Sequence, residues 1–412
     1  MKLLLLSASL LFTVALCQAQ DWPRFLGPGG SGKGKAPGLP AKFSEKDYAW
    51  KIDLPGGGVS SPVVTGERVI VTSELGEGGK RGVLCFNLKD GKELWRVEDA
   101  FESHTKHRFN SFASSSPATD GKNIYLAWSS GGTMRALALN IEGKKLWEKE
   151  IGPYKEDHGS GASPVLAGDT LIVSTDCEGG NGGVTAFKTA DGSLLWKSDR
   201  ASMRTPFSSP LTFEEKPGEW QVVVSSNPKA LTCFDAKDGK VLWGMENAMP
   251  GLRAVGSPAM TDGVIFAATG QGGTAKANMA VRVSGGKAEK IWEGKKAIPY
   301  VPTPLALDGH FLFLGDGGIL SSVRANDGEM LWSERVFEDQ AYSSPVCTGD
   351  KIYCISRSGI VAAVKADATK YTLLGTTTLG EPCDSTPAIA GGRLIIRTTK
   401  RLYCIRPSPA GK

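Results

Sequence analysis

The chain holds only four histidines, and three of them fall in two short polar stretches. His104 and His107 lie in Glu102-Ser103-His104-Thr105-Lys106-His107-Arg108-Phe109-Asn110, and His158 follows Asp157. Two imidazoles three residues apart can share a metal on a helix or turn, but no cysteine or acidic ligand stands beside them in a known pattern, so no metal site is expected. Solvated loop histidines are the simpler reading. Further polar residues recur at corresponding places along the chain: Arg204 and Arg253, Tyr300 and Tyr342, Asp384, and then Asp176, Asn181, Asn227, Gln271, Asp316 and Arg357. Two arginines with His158 and Asn110 suit a carboxylate or another anion, because a guanidinium donates paired hydrogen bonds. We therefore take Asn110, His158, Asp176, Arg204, Asn227, Arg253, Tyr300, Asp316, Tyr342, Arg357 and Asp384 as the candidate ligand-binding set. Pairing among loop residues is the competing use of the same side chains. No catalytic residue is assigned: a Gly-x-Ser-x-Gly elbow and a Walker phosphate loop are absent. Gly179-Gly180-Asn181-Gly182-Gly183 and Gly270-Gln271-Gly272-Gly273 lack the βαβ surroundings of a dinucleotide fingerprint.

What positions these residues is a repeat. Short apolar strands align on a small residue followed by Pro62, Pro117, Pro164, Pro210, Pro258, Pro304, Pro345 and Pro387. The spacings are 55, 47, 46, 48, 46, 41 and 42 residues, which suits four strands and their turns per unit. Within a unit the third strand ends at a tight turn: Asp90-Gly91, Glu142-Gly143, Asp191-Gly192, Asp238-Gly239, Gly285-Gly286 or Asp327-Gly328. These pairs tolerate the positive φ of a two-residue hairpin. A fourth strand follows with Trp95, Trp147, Trp196, Trp243, Trp292 or Trp332, rings large enough to fill the wedge between neighbouring units while the indole N–H finds a backbone partner. The seventh unit has Asp367-Ala368 and Leu374 instead, and the eighth stops after its third strand near Arg406. Asp47-Tyr48-Ala49-Trp50-Lys51-Ile52 carries the missing fourth-strand signature, so the two ends of the chain should pair and close the ring. The expected fold is all-β, an eight-bladed propeller of four-stranded antiparallel blades. With strands A to D running outward, the D-to-A and B-to-C links share one face, the longer and chemically richer one, and the candidate set belongs there.

Composition and the first forty residues bound the setting. Gly is abundant at 52 residues, charged residues are 22% and hydrophobic ones 41%, which excludes an all-α chain and extended disorder. The net charge of +5 comes from 48 basic and 43 acidic groups spread without a basic block, so nucleic acid is not a partner class. Lys2 precedes an apolar run, Leu3 to Leu16, and then Cys17-Gln18-Ala19. That reads as a signal peptide over 1–19, and cleavage after Ala19 leaves 393 residues, periplasmic or secreted. Lipidation at Cys17 is the weaker alternative because Leu16 is bulky where a lipobox has a small residue. No later segment is long enough to form a transmembrane helix. Residues 20–46 read as an irregular leader on or beside the domain, pinned by Trp22 and Phe25, with the propeller over 47–406 and a tail over 407–412. Cys85, Cys233 and Cys404 share one repeat position with Ala138, Ala186 and Ala363 and should be small core residues. A disulfide between two of Cys347, Cys354 and Cys383 is left open by their spacing.

The recurring Ala/Cys-Phe-x-x-x-x-Asp-Gly-x-x-Leu-Trp pattern, fullest in Ala186-Phe187 to Trp196 and Cys233-Phe234 to Trp243, resembles the pyrroloquinoline-quinone-repeat (PQQ-like) eight-bladed propeller family. Asp21-Trp22-Pro23-Arg24-Phe25-Leu26-Gly27-Pro28 looks like the N-terminus of its exported, largely uncharacterised members. The resemblance implies two functions. One is an exported, noncatalytic scaffold in the cell envelope, similar to the propeller subunit of the β-barrel assembly machine, a monomer that binds an envelope protein or a small polar or anionic ligand. The other is a quinoprotein dehydrogenase acting on alcohols or sugars, in which PQQ lies over the axis beside Ca²⁺ with a carboxylate base and a vicinal disulfide. The chain has no adjacent Cys-Cys pair and no carboxylate-asparagine pair that matches the calcium ligands, so the scaffold is the expected function and no cofactor is expected.

Overall fold

The computed structural model describes residues 21–408 apart from 77–78, 156, 246–247, 250–252 and 295. The proposed signal peptide, the Cys17 alternative and the end of the tail therefore lie outside the described residues. Eight four-stranded antiparallel sheets surround an axis, with no helix longer than a single 3₁₀ turn among the described residues. Seven blades are continuous in sequence. In the eighth, Ala388–Ala390, Arg393–Arg397 and Arg401–Ile405 are joined on their outer edge by Tyr48–Asp53, with Trp50 opposite Cys404 and Ile52 opposite Leu402. The ring is closed by pairing the head of the propeller with its end.

The small residue before each anchor proline is Ser or Thr in every blade, and it closes a second ring at the axis. Ser61 N–H donates to Ser116 Oγ, Ser116 to Ser163, Ser163 to Ser209 and Ser209 to Ser257, at 2.8–2.9 Å. The chain of donors continues from Ser257 to Thr303, Thr303 to Ser344 and Ser344 to Thr386 at 2.9 Å, and Thr386 returns to Ser61 at 3.2 Å. All eight are buried. Each blade thus supplies the acceptor for a buried backbone donor of the blade before it.

Outside this belt the tryptophans join blade to blade. Indole N–H groups of Trp50, Trp95, Trp147, Trp196, Trp292 and Trp332 donate to carbonyls of Leu88, Ile141, Thr189, Ala236, Ala325 and Ala368 in the following blade, at 2.7–3.0 Å. The turns they reach are longer than two-residue hairpins. In Asn87–Lys92, for example, four residues intervene, Asn87 N–H bonds to Lys92 O and Gly91 N–H to Asn87 O, both at 2.8 Å. The glycine has two reasons to be there. Gly239 sits at φ +74, and a Cβ on it would lie 2.5 Å from the Trp196 ring. Blade five breaks the pattern: Gly286 has no atom within 4 Å of such a Cβ, and the Trp243 N–H has no partner.

Residues 21–43 cross the face that carries the A-to-B and C-to-D turns. Trp22 pairs with Val64 in blade one, Pro23 O accepts from Thr119 N in blade two, and Arg24 donates to Thr212 Oγ1 and Pro210 O in blade four. Gly32 and Gly34 then bond to Cys347 in blade seven. A segment that touches innermost strands on opposite sides of a ring must cross its axis, so this segment covers that mouth. Trp22, Arg24 and Leu26 are its buried anchors, whereas Phe25 is only half-buried. The pin expected at Phe25 is therefore supplied by its neighbours: Gly27 N–H bonds to Arg24 O at 2.8 Å and closes a turn with Leu26 at φ +62, and Phe25 sits at its corner. All seven cysteines in the described residues are free and buried, Cys347, Cys354 and Cys383 included, so no disulfide forms among them.

Gly239→Ala should destabilise the protein by about 1–3 kcal/mol more than Gly286→Ala, because both pay the positive-φ cost of about 1–2 kcal/mol but only the first meets an indole ring. Denaturant unfolding of the two variants checks this.

Candidate functional site

A cavity of about 670 Å³ opens on the loop-rich face. Each of the eight D-to-A links contributes to its wall: Val59, His107 to Asn110, His158, Arg204 and Phe207, Arg253 and Val255, Tyr300 and Val301, Gln340 and Tyr342, and Asp384. It therefore sits on the axis, at the mouth opposite the covered one. Its size is that of a small-molecule pocket.

Of the candidate set, Asn110, His158, Arg204, Arg253, Tyr300, Tyr342 and Asp384 line this cavity. Asp176, Asn227, Asp316 and Arg357 are placed behind the wall, and each has an evident reason. Asp176 is withdrawn from the rim: its carboxylate takes Arg200 Nε at 3.0 Å with both side chains buried, and Arg200 Nη2 reaches Ser226 Oγ in the next blade at 2.8 Å. Burial holds the Asp176 carboxyl above its ordinary value, with Arg200 opposing. Asn227 uses its carbonyl to hold the 202–203 link, accepting from Met203 N and Ser202 Oγ. Asp316 accepts Tyr300 N at 2.7 Å and Val301 N at 3.1 Å, and so fixes the link that presents Tyr300. Arg357 forms a fork with Asp384 at 2.8 and 3.3 Å and lies 3.9 Å from the Phe109 ring centroid and 4.3 Å from that of Tyr342. Asn110, although in the wall, spends its amide on the His158 and Ser160 carbonyls and on Ser111 N.

The arginines differ from these. Arg253 donates Nη2 to Glu178 Oε1 at 2.8 Å, and Arg204 Nη1 stands 3.7 Å from Glu178 Oε2. One buried carboxylate thus orients two guanidiniums. Glu178 was not singled out from sequence, although it lies between Asp176 and Asn181 in the same B-to-C link; the signal was the need for a counter-ion to two arginines on successive links. Arg108 stacks over Phe109 at 4.5 Å. The His107 and His158 rings are parallel, 5.5 Å apart. Burial and then nearby arginines hold both below the usual imidazole range. His104 instead packs edge-on against Phe112 at 4.8 Å, so the two closely spaced histidines face different neighbours. Among the described residues no three His, Cys, Asp or Glu side chains are grouped to hold a metal ion.

Residues 42–176 and 180–408 match the PQQ_2 family model, described as outer membrane protein assembly factor BamB. The chain belongs to the PQQ_2 family. Within reach of it, the outer membrane protein assembly factor BamB of Burkholderia pseudomallei is 23% identical over 375 residues, covering 87% of each chain. A polyvinylalcohol dehydrogenase from Pseudomonas sp is also 23% identical, over 335 residues and 70% of this chain, but the match spans only 46% of the dehydrogenase. The crystal structure of BamB from Moraxella catarrhalis superposes with a TM-score of 0.63 at 14% identity, covering 89% of this chain and 98% of that one. This last likeness is one of fold. No helix among the described residues of this PQQ_2 propeller is long and apolar enough to cross a membrane.

Burial pushes the Asp316 carboxyl from 3.8 up to about 6, against the two backbone N–H groups that favour its charged form. A carboxyl raised in the folded state stabilises fully below its unfolded value, and that contribution is lost as pH rises through the folded one. The stability of the native chain relative to Asp316→Asn should therefore fall between about pH 4 and pH 7, as read by denaturant unfolding across that range.

Proposed function

We propose that this PQQ_2 propeller is an exported, noncatalytic scaffold of the cell envelope that binds a partner through its loop-rich face. The observation that carries the reading is the convergence of all eight D-to-A links on one axial cavity, while the segment 21–43 covers the other mouth. One face is committed to internal packing and the other is left with oriented, solvent-reaching side chains. The similarity to assembly factor BamB over nearly the whole chain supports the same reading.

A dehydrogenase reading would need the residues here to accept PQQ and Ca²⁺, and the donor set does not fit. Calcium takes six to eight oxygen ligands. The carboxylates near the cavity are engaged elsewhere: Glu178 by arginines, Asp384 by Arg357, Asp316 by backbone N–H groups. No adjacent cysteines exist to stack under a quinone.

Affinity capture from an envelope extract, with the native chain and with an Arg204→Ala, Arg253→Ala double variant, tests the face. A partner held by the native chain should be lost or weakened about tenfold by the double change; equal capture would remove this face from the interaction. Absorbance of the protein after incubation with PQQ and Ca²⁺, followed by desalting, should show no retained quinone, and dye-linked alcohol oxidation would replace the scaffold reading with an enzymatic one.

A further inference from the structure

Seven of the eight outer strands carry an indole at one fixed register. Trp95, Trp147, Trp196, Trp243, Trp292, Trp332 and Trp50 stand opposite Cys85, Ala138, Ala186, Cys233, Ala280, Ser322 and Cys404 on the adjoining strand. In blade seven the residue at that register is Gly375, opposite Ala363 and one place beyond Leu374. The next blade supplies the reason. Trp332, for example, donates to Ala368 O in the turn between the third and fourth strands of blade seven. In blade eight that turn does not exist, because Arg401–Ile405 and Tyr48–Asp53 come from the two ends of the propeller. An indole from blade seven would find no turn to bond.

Residues 36–43 take the vacant place. A Cβ on Gly375 would lie 3.1 Å from Ala41 O and 3.2 Å from Lys42 Cβ. Ala36, Leu39 and Phe43 are buried in one apolar cluster with Tyr353 and Tyr403, and the Phe43 ring meets Tyr48 edge-on at 6.3 Å. The mode of attachment differs from that of the blades. Residues 37–44 belong to no strand. Side chains hold them: Tyr353 Oη donates to Pro40 O at 2.8 Å, Phe43 N–H to Thr377 Oγ1 at 2.9 Å, and Thr377 Oγ1 to Phe43 O at 3.2 Å. The flanks are pinned by backbone, Gly34 N–H to Cys347 O before the segment and the Tyr48–Asp53 ladder after it. A groove of about 510 Å³ opens beside it, lined by Lys42, Phe43, Ser44, Tyr48 and residues 376–379. Lifting a span between two fixed ends exposes two large apolar side chains and leaves the ladders of all eight blades whole, so it costs far less than unfolding.

We infer that residues 36–43 are a releasable latch that stands in for the missing tryptophan: the segment lifts from the wedge between blades seven and eight while the ring stays closed. Opened, it uncovers Gly375, Thr377 and the Tyr353 hydroxyl beside the existing groove. The device does not depend on which face of the propeller holds a partner.

The test uses the full mature chain, following single amides by hydrogen exchange and the Lys42–Phe43 bond by brief trypsin cleavage read by mass spectrometry. The Phe43 amide should exchange at least about 100-fold faster than the Tyr48–Asp53 amides, at a rate that low denaturant leaves unchanged, the signature of a local opening. Gly375→Trp should hold the latch off and speed cleavage at Lys42–Phe43 by about tenfold or more. Gly244→Trp, on the outer strand of blade four where the nearest atom to a Cβ is 3.9 Å away, should leave that bond as resistant as in the native chain. Phe43→Ala should lower the unfolding midpoint of the native chain and leave that of Gly375→Trp unchanged, because a contact already released cannot be lost twice. The inference is overturned if the Phe43 and Tyr48–Asp53 amides exchange at one rate, whether slow or fast. It is equally overturned if Gly375→Trp leaves Lys42–Phe43 resistant, or if Phe43→Ala costs the same in both backgrounds.

Discussion

The circle of eight hydroxyl-accepted backbone bonds at the axis is the constraint on which the rest of the molecule depends. Each blade supplies one Ser or Thr hydroxyl and one N–H, and the donor of each blade needs the acceptor of the next. An open ring would leave a buried N–H at one end and a buried hydroxyl at the other, groups whose desolvation costs about 1–3 kcal/mol each when unpaired. The seam at Thr386 and Ser61 therefore has the same chemistry as the seven other steps. The outer edge follows the same logic, because Tyr48–Asp53 gives the last blade the edge strand its own sequence lacks.

Buried arginines extend this linkage between the belt and the loops. Arg81 of blade one reaches the Ser129 carbonyl of blade two, Arg200 of blade three reaches Ser226 of blade four, and Arg397 of blade eight reaches Ser60 and Thr72 of blade one. Arg397 makes these bonds without a carboxylate, and burial lowers its pKa to about 9. These arginines close gaps between blades. Arg204 and Arg253 lie one layer further out, at the cavity wall, where Glu178 orients both. Position relative to the cavity separates the two groups, and residue type does not.

This separation explains what could be read from the sequence. The blade number, the closing strand and the role of the tryptophans were legible because each recurs at a fixed period, and packing is periodic in a propeller. The side of the ring carrying Arg204, Arg253, Tyr300 and Tyr342 followed from strand order alone. The depth of individual residues did not follow. Asp176 and His158 are both polar loop residues in the sequence, yet one is sealed onto Arg200 and the other lines the cavity. That difference depends on contacts between blades at long sequence separation. The path of residues 21–43 was hidden for the same reason: Arg24 finds its partners at Pro210 and Thr212, nearly half the chain away. The Asp-Gly turns were read correctly for backbone sign and incompletely for packing, since a neighbouring blade's indole was the second requirement.

Native-state hydrogen exchange at the amides of Ser61, Ser116, Ser163, Ser209, Ser257, Thr303, Ser344 and Thr386 measures the belt directly. A ring that opens only on global unfolding gives all eight amides one common, slowest exchange rate with the denaturant sensitivity of the whole molecule, and the Tyr48–Asp53 amides paired with Arg401–Ile405 join them. Early exchange confined to Ser61, Thr386 and the Tyr48–Asp53 strand would show a ring that parts at its seam, and would contradict the closed circle from which the shared binding face is derived.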